Sequence, residues 1–477
     1  MEQEERKEVK DLVEKATTTS HRPGATRFTD KLDRLFAHKY IGLLIFMLIM
    51  WLVFTISQVW VGPLVRDYIE VAFGMVAQWI EQGLDSIGSG AVLQGLVIEG
   101  IIGGFTAVIG FLPLIMVLFF MLHLLEDSGY MSRVALLMDR YFKKIGLAGK
   151  SIIPMYVGTA CSIPAIMAAR TIKNTRQRRM TILLTPFIPC GAKLPVIALL
   201  LGVFFTGSAF MTALTYLVAI LIIFITGLII KRLVNPFQKA EEDSFLMVEL
   251  PDYQVPSPKK AFFVMLQRAK AFIVKAGTII LLMNVIVWFF VNFDFSLTQV
   301  ANPEASMLKV IATPIAFLLT PIGVASWGLA AAAILGFVAK EEVVGALAVI
   351  FSFTISEDFA VDNIETTRET LMTVGSMTSV SAVAYLAFNL FTPPCFAAIG
   401  AMKTEFESKA WTVFAIFLQL FIGFLTGLVI YQIGTLIVTG SFGIGSTAAL
   451  IIAVVSIIVF IYMNSLSKRG KGLAKIG

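Results

Sequence analysis

Residues 151–196 read SIIPMYVGTACSIPAIMAARTIKNTRQRRMTILLTPFIPCGAKLPV, two proline-broken apolar runs on either side of one strongly basic stretch. Proline has no N–H to continue a helix ladder. In lipid the carbonyls it frees need partners, so such runs survive only where protein or a watery cavity receives them. This pattern marks a discontinuous transport site and makes the chain a polytopic membrane protein. The stretch just upstream, LEDSGYMSRVALLMDR at 125–140, ends a long apolar run on an acidic pair, Glu126 and Asp127, one helical turn after His123.

Composition agrees: 57% of the 477 residues are hydrophobic and 15% charged, with a mean hydropathy of +0.84. The net charge of +6 is the surplus expected of cytoplasmic loops, and no nucleic-acid partner is read from it. Three cysteines inside apolar runs do not make a disulfide framework.

In chain order the sequence predicts an all-α fold of about eight transmembrane helices plus two re-entrant, proline-broken elements. Residues 1–39 form a charged cytoplasmic arm without the apolar core of a secretory signal, so the first span is retained. The first membrane half is 40–230: a span at 40–62, an outer interfacial helix within 64–90, two helical pieces within 91–125, a re-entrant element at 151–169, and spans at 181–205 and 211–230. The re-entrant reading follows from charge. Lys143, Lys144 and Lys150 are followed only about twenty residues later by the basic stretch 170–179, and both clusters belong inside. A cytoplasmic linker at 231–262 divides the chain. The second half, 263–437, holds spans at 272–293 and 411–435, an acidic external segment around Asp294 and Glu304, an inward segment from 325 to 339 ending in a second acidic pair, Glu341 and Glu342, and a second re-entrant element around Pro393, Pro394 and Cys395. Residues 438–477 supply a last span at 448–462 and a basic tail, leaving both termini inside.

The halves echo each other, with CSIPAIMAAR at 161–170 beside CFAAIGAMK at 395–403. Cys161, Cys190 and Cys395 all sit beside helix breaks, where free carbonyls face a cation. Sulfur, with Met131 and the carboxylates of Glu126, Asp127, Glu341 and Glu342 nearby, suits a borderline-soft divalent ion such as iron(II) better than Mg²⁺ or Ca²⁺. A rival reading stays open for each: a cysteine is a small apolar core residue, a lone histidine is a packed side chain, and the acidic pairs lie at the membrane surface against Arg133 or Lys340. The GKS at 149–151 does not complete a phosphate-binding loop, which needs glycine where Lys144 stands.

Together 125–140, GLAGKSIIP (146–154), CSIPAIMAARTI (161–172), TPFIPCGAKLPV (185–196), AKEEVVG (339–345) and FNLFTPPCFAAIGAM (388–402) closely resemble the membrane domain of the bacterial ferrous iron transporter B (FeoB) family, with its two Gate regions, over residues 27–432. The resemblance implies Fe²⁺ uptake across the inner membrane with no permanently bound cofactor. It matches Cys161 and Cys190 to the Gate cysteines and places Cys395 in the second Gate region. The chain departs from the family in GTACSIP before the first cysteine, in the second glutamate of AKEEVVG and in His123. Members also carry a cytosolic GTPase domain before the FTDKLDRL segment, where 26 residues precede Arg27 here, so a separate small GTPase acting in trans is expected. The lipid bilayer is the remaining partner, and a homo-oligomer stays open. The rivals are a nucleoside permease of Gate type and a membrane scaffold for a GTPase.

Overall fold

The computed structural model describes residues 41–86, 90–142, 146–205, 209–234, 253–300, 303–351 and 364–441, with Phe36, His38, Gly443, Gly445 and Ser446 beside them. Among these residues there are helices and turns, and the only β pairing is an isolated bridge between Phe293 and Gln299. The expected arm helix within 1–39 and the last span at 448–462 lie outside the described residues.

The first helix, α1 (Ile41–Ser86), runs for 46 residues. At about 1.5 Å per residue that is more than twice the roughly 30 Å hydrocarbon core. It joins the first span to the stretch expected to lie separately on the outer interface, and so corrects that expectation. The join passes Pro63 because Thr55–Trp60 adopts a π-helical register, with the Val61 N–H donating to Ile56 O; the widened turn absorbs the missing donor. Asp67, Glu81 and Asp85 thus mark a helix too long for the bilayer, not a change of direction. A second correction concerns 91–125, expected as two pieces: α2 (Val92–Asp127) is one helix of 36 residues, carrying Pro113 inside it and a π-helical turn at Leu96–Ile102.

The chain continues through α3 (Tyr130–Phe142), α4 (Ile152–Ala160), α5 (Ser162–Ala168), α6 (Thr175–Leu184), α7 (Leu194–Phe205) and α8 (Ala209–Val234). Beyond the linker, α9 (Pro258–Phe272) passes through a π-helical turn into α10 (Thr278–Asn292), followed by α11 (Met307–Leu319), α12 (Trp327–Val338), α13 (Glu342–Phe351), α14 (Ile364–Thr373), α15 (Ser379–Phe391), α16 (Phe396–Phe406) and α17 (Lys409–Thr439). The α11 helix falls where only an external segment was expected, and it meets α12 at a bend of 100°. Six helices among the described residues are long and apolar enough to cross a membrane, or seven when that bent pair counts as one span.

The core gathers around α15, every residue of which from Ala384 to Phe391 is buried. Its start is fixed by a capping box between Thr378 and Ser381, and the buried Tyr385 hydroxyl donates to Leu329 O of α12 at 2.8 Å. Helices α7, α12 and α17 pack around it. By contrast α8 and α17 leave most of their apolar surface outward, as helices facing lipid do.

Candidate functional site

Four breaks in the helical ladder converge on the centre of the molecule. In the first repeat, α4 and α5 meet at Cys161, whose backbone is extended (φ −151°, ψ 133°). The 31-residue helical stretch Thr175–Phe205 is interrupted between α6 and α7 by two short 3₁₀ turns, with Cys190 between them. In the second repeat, α12 and α13 are separated by Ala339, Lys340 and Glu341, and α15 and α16 by Thr392, Pro393, Pro394 and Cys395.

The three cysteines are brought into one neighbourhood. Cys161 lies within electrostatic reach of Cys190, Cys395 and Glu341, and Cys395 within reach of Cys190, Glu341 and Lys340. Cys161 and Cys395 each occupy the residue immediately before a short helix, α5 and α16, without a side-chain capping bond, and those helices pack together. Just beyond α5, Arg170 forms an ion pair with Glu405 in the last turn of α16. Two helices that start side by side and end side by side run in the same direction. Two buried oxygens beside the cysteines have no hydrogen-bond partner, Ser162 Oγ next to Cys161 and Asn389 Oδ1 before Cys395.

Two lysines that the sequence reading did not select are the best-connected polar groups of this centre. An α-helical carbonyl accepts from the amide four residues on, so Pro393 and Pro394 leave Asn389 O and Leu390 O without backbone donors, and the Thr392 hydroxyl donates to Asn389 O at 3.2 Å. The Lys340 ammonium donates to Asn389 O at 3.2 Å and to Thr392 Oγ1 at 3.1 Å. The Lys193 ammonium donates to Leu390 O at 2.6 Å and to Pro186 O at 2.9 Å, linking the breaks of the two repeats. Both side chains are buried, at 2% and 3% exposure for Lys193 and Lys340. Their signal in the sequence was an ionisable residue inside apolar sequence, which is costly in a membrane unless it serves the site. Gly423 lets α17 approach this break, since a Cβ there would stand 2.8 Å from the Thr392 backbone nitrogen.

The remaining candidates are not brought to the cysteines. Asp127 at the end of α2 accepts from Lys260 Nζ at 2.8 Å and from the Ser257 N–H at 3.2 Å, so it holds the start of α9, where a helix dipole favours an anion. Glu126 lies 3.7 Å from Arg268 and 3.8 Å from His123 Nδ1. Met131 is buried in a separate apolar cluster with Phe46, Met50 and Leu122. Arg133 stacks over Tyr253, 3.9 Å from the ring centre. Glu342 sits in the first turn of α13, next to Glu341. Among the described residues no three His, Cys, Asp or Glu side chains stand close enough together to hold a metal ion. The GKS segment forms a 3₁₀ turn in which the Gly149 N–H donates to Asp139 and Ser151 Oγ meets Thr181 Oγ1 at 2.7 Å.

Comparison with known proteins shows what this arrangement is similar to. A family model described as Gate, nucleoside recognition, matches residues 108–204 and 273–409, and one described as ferrous iron transport protein B C terminus matches 212–268. An Fe(2+) transporter FeoB of Staphylococcus aureus is 36% identical over 413 residues, which are 86% of this chain and 60% of that protein. Proteins of the same name from Campylobacter jejuni and Methanocaldococcus jannaschii are 35% and 32% identical over 85% and 90% of this chain, and 65% and 61% of their own lengths. The chain therefore spans somewhat under two thirds of the length of these relatives. No solved structure matches it.

Proposed function

Since the chain belongs to the ferrous iron transporter B family, whose membrane region it carries, we propose that it conducts Fe²⁺ across a bacterial inner membrane, with both termini on the cytoplasmic side. The observation that carries this reading is that Cys161 and Cys395, at helix breaks of the two repeats, each lie within electrostatic reach of Cys190 and Glu341. Sulfur is a poor ligand for Mg²⁺ and Ca²⁺ and a good one for Fe²⁺, so a path lined with thiols and a carboxylate selects by softness. The unpartnered oxygens of Ser162 and Asn389 add neutral donors on either side. Glu341 supplies the negative charge that a desolvated divalent ion needs inside an apolar core. A conduit must also let go: ligands met a few at a time bind a passing ion weakly enough to release it.

Glu126, Asp127 and Met131 stand outside this path. Asp127 and Glu126 fasten α2 to α9, and Met131 fills a core. Nucleotide control would come from a small GTPase docking on the arm 1–26 and on the basic stretch 170–179, in a contact weakened by salt. Co-purification with and without residues 1–26 tests that partner.

The decisive experiment is uptake into proteoliposomes holding the purified chain. Fe²⁺ entry that Mn²⁺ or Co²⁺ inhibits supports the reading. Uridine entry without Fe²⁺ entry would replace it with the nucleoside permease, and entry of neither would leave a membrane scaffold.

A further inference from the structure

We propose that Lys193 and Lys340 are tethered cations, resting on the carbonyls that the α15–α16 break exposes and displaced from them by the divalent ion in transit. The inference rests on the transport reading above and names two positioning residues for it.

The argument begins with which oxygens the lysines hold. Asn389 O and Leu390 O are the carbonyls that Pro393 and Pro394 orphan, and Pro186 O belongs to the break between α6 and α7. Carbonyls freed at a broken helix are the oxygens that replace an ion's water shell in a membrane path. An ammonium on them occupies the place of a passing cation. All four acceptors are neutral oxygens and both lysines are 97% or more buried, so neither ammonium has a carboxylate as its hydrogen-bond partner, and each rests on oxygens of the kind that would hold a passing cation.

The surroundings fit the exchange. Cys190 and Cys395 lie within electrostatic reach of both ammonium groups, and the two lysines within reach of each other. An arriving divalent ion therefore meets its ligands and its competitors together, and repulsion moves the long lysine stems away as it settles. Lys340 has a second resting place on its own segment: its ammonium already stands 5.2 Å from the centre of the Phe337 ring, within the range where an aromatic face holds a cation. When the ion leaves, the ammonium groups return to the carbonyls. The centre thus keeps positive charge whether it is empty or filled, which discourages the ion from lodging there.

The test uses the full chain in nanodiscs with Mn²⁺ as the probe, its free concentration read by electron paramagnetic resonance. Lys193→Met and Lys340→Met should each bind Mn²⁺ about tenfold more tightly than the unaltered chain, the size of one screened unit charge at close range, while releasing it more slowly. Lys340→Arg keeps the charge and should bind as the unaltered chain does. Mere damage to the fold weakens binding, so tightening separates the two causes. A second measurement needs no variant: reductive methylation followed by peptide mass spectrometry should label Lys193 and Lys340 faster in the presence of Mn²⁺ than in its absence. Folded Met variants with unchanged or weaker affinity, or labelling indifferent to Mn²⁺, overturn the inference. If the unaltered chain binds no Mn²⁺, this inference falls while Fe²⁺ uptake into proteoliposomes still decides the transport reading; if it binds and neither readout moves, this one falls alone.

Discussion

Arg170 and Glu405 form an ion pair across 235 positions of sequence, tying the ends of the two helices that begin at Cys161 and Cys395. The carboxylate is the buried partner, at 7% exposure, and the guanidinium is 55% exposed. Removing the arginine leaves a buried charge unpaired, so Arg170→Ala should lower stability by about 1–3 kcal/mol, reduced from the fully buried case because solvent reaches the arginine side. Glu405→Gln deletes the charge and keeps the shape, and should cost less. In the double variant much of the Arg170→Ala loss should be recovered. Thermal unfolding of the four proteins in detergent checks this, and strictly additive losses would show that the pair does not couple the repeats.

How far the sequence led depends on what kind of signal each feature leaves. The all-α membrane class was plain from long apolar runs, and the breaks at Pro186 and Pro393 from the missing amide of proline, because both are local properties; Pro154 and Pro164 instead sit in the first turns of α4 and α5, on either side of the break at Cys161. The reach of α1 was not legible: Asp67 and Asp85 look alike on a surface loop and on a helix that outruns the bilayer. Glu126 and Glu341 each end an apolar run, and only the tertiary partners separate them, Arg268 for the first and the cysteines for the second. Lys193 reaches Leu390 O 197 positions away and Lys340 reaches Asn389 O 49 positions away, pairings no short window of sequence contains.

Serine in place of Cys161, Cys190 or Cys395 keeps the volume and exchanges a borderline-soft donor for a hard one. Each substitution should cut Fe²⁺ uptake at least about tenfold, the scale seen when a metal's supporting ligands are lost, with the protein still monodisperse on size exclusion. Full uptake in all three serine variants would remove the cysteines from the path.

Asp127→Asn should behave in the opposite way. Its carboxylate holds Lys260 and the N–H of Ser257 at the start of α9, so the expected change is a lower unfolding temperature with Fe²⁺ uptake unchanged. The two readouts are made on one preparation. A loss of uptake without a loss of stability would return Asp127 to the transport path.

Topology offers a test of the first repeat that is independent of metal. If the positive-inside expectation holds for both the basic stretch 170–179 and Lys144, 151–169 enters and leaves on one side. Single cysteines at Lys144 and Gln177, in a chain whose native cysteines are replaced, should both stay unlabelled by an impermeant thiol reagent added outside intact cells, and both react once the cells are opened. Labelling of one alone would turn 151–169 into a full span.

The last prediction concerns the packing that brings α17 against the break. Gly423 faces Thr392, and a methyl group there would meet both the Thr392 backbone nitrogen and its Cγ2 at 2.8 Å, well inside ordinary contact. The nitrogen belongs to the backbone and cannot rotate aside, so α17 must retreat or the break must shift; overpacking of this kind costs about 1–3 kcal/mol. Because Thr392 Oγ1 is one of the two oxygens holding Lys340, the shift also disturbs the break itself. Gly423→Ala should therefore lose uptake along with stability. Gly202→Ala serves as the control, since a Cβ there meets nothing within 4 Å and should leave both readouts unchanged. Equal behaviour of the two alanine variants in uptake and thermal unfolding would show that close approach of α17 does not set the geometry of the break.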